Sequence, residues 1–229
     1  MSLHDLLPAL RPVLSEFDRL GIDYYIGGSV ASSIYGEPRS TLDIDISADV
    51  LKSAVRELVS KWEQDFYVSE PAMHDAIQTG GSFNLIHLST ALKVDVFVCG
   101  DDTSNASVLK RRQARMIGVG DESLSIWLAS PEDVILHKLV SYRKGGEISV
   151  RQWRDIVGVM KQQHSRLDKT YLREWSERLK VQDLWGRIRR ETGLQLLTPI
   201  DVLAAAFTAR DGCNQFACIL VLWVGVDRI

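Results

Sequence analysis

Cysteine is scarce in this sequence of 229 residues, and the few copies form no recognisable framework. Cys99, Cys213 and Cys218 are odd in number and lack the spacing of metal ligands. This pattern excludes a disulfide-stapled secreted domain or a cysteine zinc site, and it favours reduced thiols in a cytoplasmic protein. The histidines show no ligand spacing to one another either, so we expect them to be ordinary polar residues.

The sequence also lacks an apolar run long enough to cross a bilayer. The strongest candidate, FACILVLWVGV (residues 216–226), is far shorter than the roughly 20 residues that a membrane-spanning helix needs. It predicts a buried strand or helix, with contact to a partner or second copy as the alternative. The start, MSLHDLLPALRPVL, has no basic segment followed by an apolar run, so no secretory signal and no membrane association are expected.

A general excess of basic charge is absent, and the charge that is present is unevenly divided. Residues 1–129 hold 11 Lys/Arg against 18 Asp/Glu, a net of -7, whereas residues 130–229 hold 16 against 12, a net of +4. The basic half could therefore face an anion. The run KRRQAR (Lys110 to Arg115) is typical of a solvated helix face, with RNA contact as the alternative.

Apolar periodicity divides the chain into an α/β half and a helical half. Strands and helices alternate up to about residue 128, and the pattern predicts a helix over residues 103–115. Ser130, Pro131 and Gly145 then punctuate a helix as its N-cap, first turn and stop. We predict an α/β catalytic domain over residues 1–128 and a helical domain over residues 129–229.

Two acidic residues stand side by side in RSTLDIDIS (residues 39–47). Because successive side chains of a strand point to opposite faces, Asp43 and Asp45 share one face while the apolar residues between them enter the core. Like charges on one face repel, so the arrangement costs stability unless a cation lies there. Asp95 alternates in the same way in LKVDVFV. Three carboxylates on neighbouring strands predict a Mg²⁺ site, because Mg²⁺ prefers hard oxygen ligands.

A glycine turn precedes the acidic strand. The stretch IDYYIGGS predicts a strand that runs into a turn at Gly27, Gly28 and Ser29, followed by a short helix. Glycine lets the backbone approach a phosphate closely, and the helix N-terminus presents free N–H groups. The turn alone is weak evidence, but an Asp-x-Asp strand after 13 intervening residues makes the combination specific.

Together these motifs resemble the nucleotidyltransferase superfamily of the DNA polymerase β type. Its signature is a Gly-Gly or Gly-Ser turn, an Asp-x-Asp strand and a third acid on a later strand. The form Arg39-x-Thr41-x-Asp43-x-Asp45 is most similar to the branch that contains the AbiEii toxins of bacterial abortive-infection and toxin–antitoxin loci. The resemblance covers residues 20–160 and implies a short mixed β-sheet flanked by helices, followed by a helical C-terminal domain.

The resemblance also implies roles in the α/β half. Asp43 and Asp45 would hold two Mg²⁺ ions, and Asp95 would complete the ion that activates the acceptor hydroxyl. Ser29 and the amides of the Gly27-Gly28 turn would contact the triphosphate of an NTP such as ATP.

The AbiEii branch carries a later lysine and an Arg-Asp pair on helices, which Lys138 and Arg154-Asp155 match here. Lys138 would reach the nucleotide or the acceptor, and Asp155 would orient that lysine. An ordinary interhelix ion pair is the alternative for these two. Arg39 would contact phosphate or instead fix its loop.

The implied function is a Mg²⁺-dependent nucleotidyltransferase that releases pyrophosphate. The toxin resemblance points to tRNA or another RNA as the acceptor and to an antitoxin protein as a partner. A small-molecule acceptor such as an antibiotic or metabolite, a modified protein, and a non-catalytic protein that binds nucleotide or a partner remain open alternatives.

Overall fold

The computed structural model describes residues 3–100 and 103–193. All of these residues belong to one compact unit. The apolar segment 216–226 and the last two cysteines lie outside the described residues, and the predicted division at residues 128 and 129 remains a prediction. No helix in the described ranges is both long and apolar enough to span a membrane.

Helices and strands alternate through the first part of the chain, and helices follow. The helices are α1 (Leu7–Leu20), α2 (Gly28–Tyr35), α3 (Val55–Trp62), α4 (Glu70–Thr79), α5 (Thr103–Arg111), α6 (Pro131–Lys144), α7 (Val150–Gln163), α8 (Lys169–Arg178) and α9 (Gln182–Thr192). The strands are β1 (Tyr24–Ile26), β2 (Asp43–Ala48), β3 (Phe66–Tyr67), β4 (Ser82–His87), β5 (Lys93–Val98), β6 (Gln113–Ile117) and β7 (Leu124–Leu128).

Within the described residues, these seven strands form one mixed sheet in the order β3-β4-β5-β2-β1-β7-β6. β2 pairs with β5 in parallel and with β1 in antiparallel orientation. β1 also pairs with β7 in parallel, whereas β4 runs antiparallel to both β3 and β5. The two acidic strands are therefore direct neighbours at the centre of the sheet.

The two faces of the sheet differ in what covers them. On the back face, which carries the apolar residues of β2 and β5, α1 and α3 pack through Phe17, whose ring lies 5.7 Å from those of Tyr24 and Trp62. On the front face, which carries the aspartates, α6 covers β1 through His137, whose ring lies 6.1 Å from that of Tyr25. The front face of β3 and β4 is exposed.

The helical part is joined to the sheet through α2, which packs against α6 and α7. A Cβ atom on Gly36, just after α2, would lie 2.7 Å from the backbone nitrogen of Val159, so the two backbones are in close contact. The predicted helix punctuation is confirmed, since the Ser130 side chain caps α6, Pro131 lies in its first turn and Gly145 ends it. The Ser149 side chain caps α7 in the same way. This packing brings α7 against the loop that precedes β2.

Two local expectations differ from the structure. The helix predicted over residues 103–115 ends at Arg111, and residues 113–117 form β6 instead. β6 pairs with β7 over five residues, so sheet hydrogen bonding prevails there over local helix preference. α4 was not anticipated, although Ser69 caps it and Gly80 ends it.

Candidate active site

The three aspartates lie on one face of two adjacent parallel strands. Asp45 is directly opposite Asp95, and Asp43 is directly opposite Lys93. Opposed residues of paired strands point to the same side of the sheet, so all four side chains share the front face. Ile44 and Ile46, the alternating apolar neighbours, are fully buried on the back face. The alternation in the sequence thus produces the acidic surface that it predicts.

A lysine lies among these carboxylates. Lys93 Nζ is 2.8 Å from Asp95 Oδ2 and 3.8 Å from Asp43 Oδ1. The hydrogen bond to Asp95 raises the pKa of Lys93, so its charge persists at neutral pH. The positive charge that offsets the repulsion between the aspartates is therefore supplied by Lys93, which lies on the same strand as Asp95.

Metal binding requires these carboxylates to converge. In residues 3–100 and 103–193, no three histidine, cysteine or acidic side chains are gathered closely enough to hold a metal ion. The donor chemistry nevertheless fits Mg²⁺, because oxygen ligands from two neighbouring strands share a surface and a cation already lies between Asp43 and Asp95. Asp43, Asp45 and Asp95 are the residues that would hold it.

The glycine turn packs directly on the central aspartate. Gly28 begins α2 with a φ of +52°, and a Cβ atom there would lie 1.7 Å from Asp45 Oδ2. Burial and the nearby charge of Asp95 raise the pKa of Asp45, while the backbone N–H of Ser29 donates to its carboxylate and opposes the rise. Only glycine combines this left-handed backbone with so close an approach, so the turn and the acidic strand form one structural unit.

Arg39 ties the turn to α7. Its guanidinium donates to both carboxylate oxygens of Asp155 at 2.9 Å and to Ser29 Oγ at 2.5 Å. The N-cap of α2 is Gly27, so the Ser29 hydroxyl is an acceptor for Arg39 and does not cap the helix. These contacts are those of a residue that fixes the loop, and phosphate contact by Arg39 remains a prediction.

Lys138 and Asp155 form a buried pair beside the turn. Lys138 Nζ donates to Asp155 Oδ2 at 2.7 Å, and only 9% and 5% of the two side chains are exposed. Burial acts to raise the pKa of Asp155, but hydrogen bonds from Arg39 and Lys138 outweigh it and hold that pKa below its ordinary value. Asp155 is thus an ionised carboxylate shared by two cations.

A cleft of about 920 Å³ opens between the front face of the sheet and the helices. Its floor includes the glycine turn together with Asp43 and Asp45, and Lys138 and Asp155 line it as well. The opposite wall also carries Lys144 and Arg151, which are exposed. In the described part of the chain these two residues make no ion pair. An acidic floor therefore faces a wall that carries basic groups.

Sequence reasoning missed several residues of this cleft and of the acidic face beside it. Lys93 could have been found, because it stands two positions before Asp95 in an alternating strand and must share its face. His137 lines the cleft next to Lys138, and burial lowers its pKa although Asp133 opposes the shift. Lys144 and Arg151 lie at the end of α6 and the start of α7, and no sequence signal indicated which way these helix ends face.

The basic run at residues 110–115 is largely used within the chain. Arg111 pairs with Glu132 at 3.1 Å and stacks on the ring of Tyr171, while Arg112 pairs with Asp23 at 2.7 Å. These partners leave little of the run free to form an extended basic surface.

Comparisons with known proteins place this geometry in a fold. No protein-family model matches the chain, and no curated protein matches it. Among solved structures, the chain is similar to an antigenic nucleotidyltransferase-like protein from Paracoccidioides brasiliensis, with a TM-score of 0.54 and 20% identity over 93% of this chain and 96% of that one.

Weaker likenesses are to two antibiotic-related proteins. The antibiotic-resistance factor ANT(2'')-Ia aligns with a TM-score of 0.46 and 15% identity over 89% of this chain and 97% of its own. The lincosamide antibiotic adenylyltransferase LnuA aligns with a TM-score of 0.39 and 14% identity over 66% of this chain and 93% of its own. The likeness to the Paracoccidioides protein shows the fold, and the predicted α/β nucleotidyltransferase fold is confirmed.

Proposed function

We propose that the chain is a Mg²⁺-dependent nucleotidyltransferase that moves a nucleoside monophosphate from an NTP to an acceptor hydroxyl. One observation carries the proposal: the glycine turn packs on Asp45, which lies in register with Asp95 and beside Asp43 on the floor of a large cleft. A solvated strand face would explain the acids, but not a turn with a left-handed glycine packed against them.

In the proposed reaction, the acceptor oxygen bonds to the α-phosphorus as the bond from that phosphorus to the bridging oxygen breaks, and pyrophosphate leaves. Mg²⁺ bound by Asp43, Asp45 and Asp95 would supply charge stabilisation and align the acceptor and leaving oxygens. The Asp95 carboxylate would take up the hydroxyl proton. The strands hold these side chains in place before the substrates arrive, which is the main protein contribution in phosphoryl transfer.

The triphosphate would lie between the glycine turn and the helical wall. Lys144 and Arg151 are exposed cations on that wall, and cations stabilise the charge of phosphates. Lys138 would act mainly by electrostatics at short range, because its ammonium is already bound to Asp155. Asp155 and Arg39 would then be positioning residues for the turn.

The acceptor that we propose is an RNA hydroxyl, as the resemblance to AbiEii-type toxins implies, and the basic cleft wall is compatible with its phosphates. A small molecule is the second candidate, since Arg111 and Arg112 pair within the chain, and the basic run at residues 110–115 therefore offers little extended surface for RNA. The toxin role and an antitoxin partner rest on the resemblance alone.

The test is a transfer assay with purified protein, Mg²⁺ and each α-³²P-labelled NTP in turn, using total RNA or cell lysate as the acceptor pool. We expect label to enter RNA with release of pyrophosphate, and Asp45→Asn to abolish both. Label that appears only in a small-molecule fraction would favour the second candidate. If no NTP is consumed with any acceptor and no nucleotide binds, the chain is instead a non-catalytic protein that binds a different ligand or a partner.

A further inference from the structure

The charge balance of the acidic surface shows a feature that the proposed function does not use. On the front face, Lys93 of β5 is opposite Asp43 of β2 on one side and Ile86 of β4 on the other. The lysine therefore lies between an aspartate and an apolar residue. Its ammonium lies 2.8 Å from Asp95, which is two positions further along the same strand, and 3.8 Å from Asp43 on the neighbouring strand. It thus contacts two of the three carboxylates proposed to hold Mg²⁺.

We propose that Lys93 is an internal counterion that substitutes for the divalent cation and must leave the carboxylates before that cation binds. The inference rests on the proposed function, because it assigns the same three aspartates to the metal. On this inference Lys93 is a positioning residue: its side chain stabilises the metal-free protein and, by the same contacts, lowers the affinity for the metal.

The first step of the argument is electrostatic. Three carboxylates on adjacent strands repel one another, and the repulsion disfavours the register that brings Asp45 opposite Asp95. Lys93 relieves this repulsion without a ligand, since its ammonium lies 2.8 Å from Asp95 and 3.8 Å from Asp43. The acidic surface therefore forms in the metal-free protein with its geometry already in place.

The second step is competition. An ammonium and a divalent cation repel, and both need the oxygens of Asp43 and Asp95. The Lys93 side chain is 40% exposed, so it has room to move into solvent. For the same reason, solvent screens the repulsion between its ammonium and a bound cation only in part. Like charges at such a partly exposed site repel by enough to weaken metal binding about tenfold, equivalent to about 1.4 kcal/mol.

The experiment measures Mn²⁺ binding by the electron paramagnetic resonance signal of free Mn²⁺, in low-salt buffer without nucleotide. The variants are Lys93→Met, which removes the charge, and Lys93→Arg, which retains it. Lys61→Met is the matched control, because Lys61 is an exposed lysine on α3 with no ion pair in the described residues. We expect Lys93→Met to bind Mn²⁺ about tenfold more tightly, Lys93→Arg to resemble wild type, and Lys61→Met to be unchanged.

Thermal unfolding provides a readout that is independent of activity. In EDTA, Lys93→Met should melt below wild type because the carboxylates lose their counterion, and saturating Mg²⁺ should raise its melting temperature by more than that of wild type. Both differences should shrink at high salt, which screens partly exposed charges.

Each other outcome overturns the proposal. Unchanged or weaker Mn²⁺ affinity in Lys93→Met, with binding still lost in Asp45→Asn, would show that Lys93 does not compete, while the metal-dependent function stands. An equal gain in Lys61→Met would show an effect of net charge. If wild type and Lys93→Met both fail to bind Mn²⁺, there is no metal site, and the proposed function falls with this inference.

Discussion

Replacing Asp155 by alanine would remove the shared partner of two cations. In the folded protein its carboxylate accepts hydrogen bonds from Arg39 at 2.9 Å and from Lys138 at 2.7 Å. With Asp155 gone, the Lys138 ammonium would be left unpaired in a site where only 9% of its side chain is exposed. Removal of one partner of a buried pair costs more than the pair itself contributes, because the remaining charge is uncompensated.

We expect Asp155→Ala to lower the free energy of unfolding by about 3 kcal/mol, the low end of the usual range for buried pairs, because Arg39 is 24% exposed and can be rehydrated. For a chain of this size the melting temperature should fall by about 6 to 12 °C. The matched control is Asp183→Ala, because Asp183 lies on α9 and is the exposed ion-pair partner of Arg143. This control should change the melting temperature by no more than about 2 °C.

The double variant Asp155→Ala with Lys138→Met should be more stable than Asp155→Ala alone, since it removes the stranded charge together with its partner. In a thermal or urea unfolding assay the effects of the two substitutions should therefore not add. An Asp155→Ala variant within about 2 °C of wild type, or strictly additive effects, would refute the assignment of a coupled buried pair.

The pH dependence has a definite sign. The pKa of Asp155 lies below its ordinary value of 3.8 in the folded protein, so its stabilising contribution is fully present above that ordinary value. It is lost as the pH falls through the lower folded pKa. The stability difference between wild type and Asp155→Asn should thus be constant near neutral pH and should narrow only in strong acid. A difference that narrows between pH 5 and pH 7 would contradict this reasoning.

Three further predictions concern the cleft. Asp45→Asn should abolish nucleotidyl transfer yet melt at or above the temperature of wild type in EDTA, because the raised pKa of Asp45 means that its ionised form costs stability at neutral pH. A melting temperature below that of wild type would contradict this direction of the stability change. Gly28→Ala should impair folding and activity more than Gly80→Ala, since both have positive φ but only Gly28 would place a Cβ on Asp45; equal melting temperatures and activities would argue against the close contact. Arg151→Ala should raise the KM for NTP several-fold with little change in melting temperature, because the side chain is exposed on the cleft wall; an unchanged KM would place the triphosphate elsewhere.

Substitution of Lys138 by alanine should affect stability as well as activity. Lys138 lines the cleft beside the acidic strand. Its burial against Asp155 makes loss of stability a major part of the effect. Activity of that variant should therefore be measured well below its melting temperature.

Local chemistry was sufficient to predict the two acidic strands. The strict alternation around Asp43, Asp45 and Asp95 determines which side chains enter the core, because a strand has a period of two. The same rule places Lys93 on the acidic face, although the lysine was overlooked. The glycine turn was recognisable because few other sequences allow a helix to begin so close to a strand.

Only the tertiary structure decided how distant segments meet. The close approach of Gly36 to α7 brings Asp155 to Arg39, more than a hundred positions earlier in the chain, and no periodicity encodes that contact. The change from predicted helix to strand at residues 113–117 has the same origin, since pairing with β7 supplies hydrogen bonds that a local pattern cannot show. Sequence by itself determined which faces are apolar and which residues carry charge, because those depend on neighbours along the chain. The partner of each charge depended on packing between elements, because long-range contacts are set by the fit of whole surfaces.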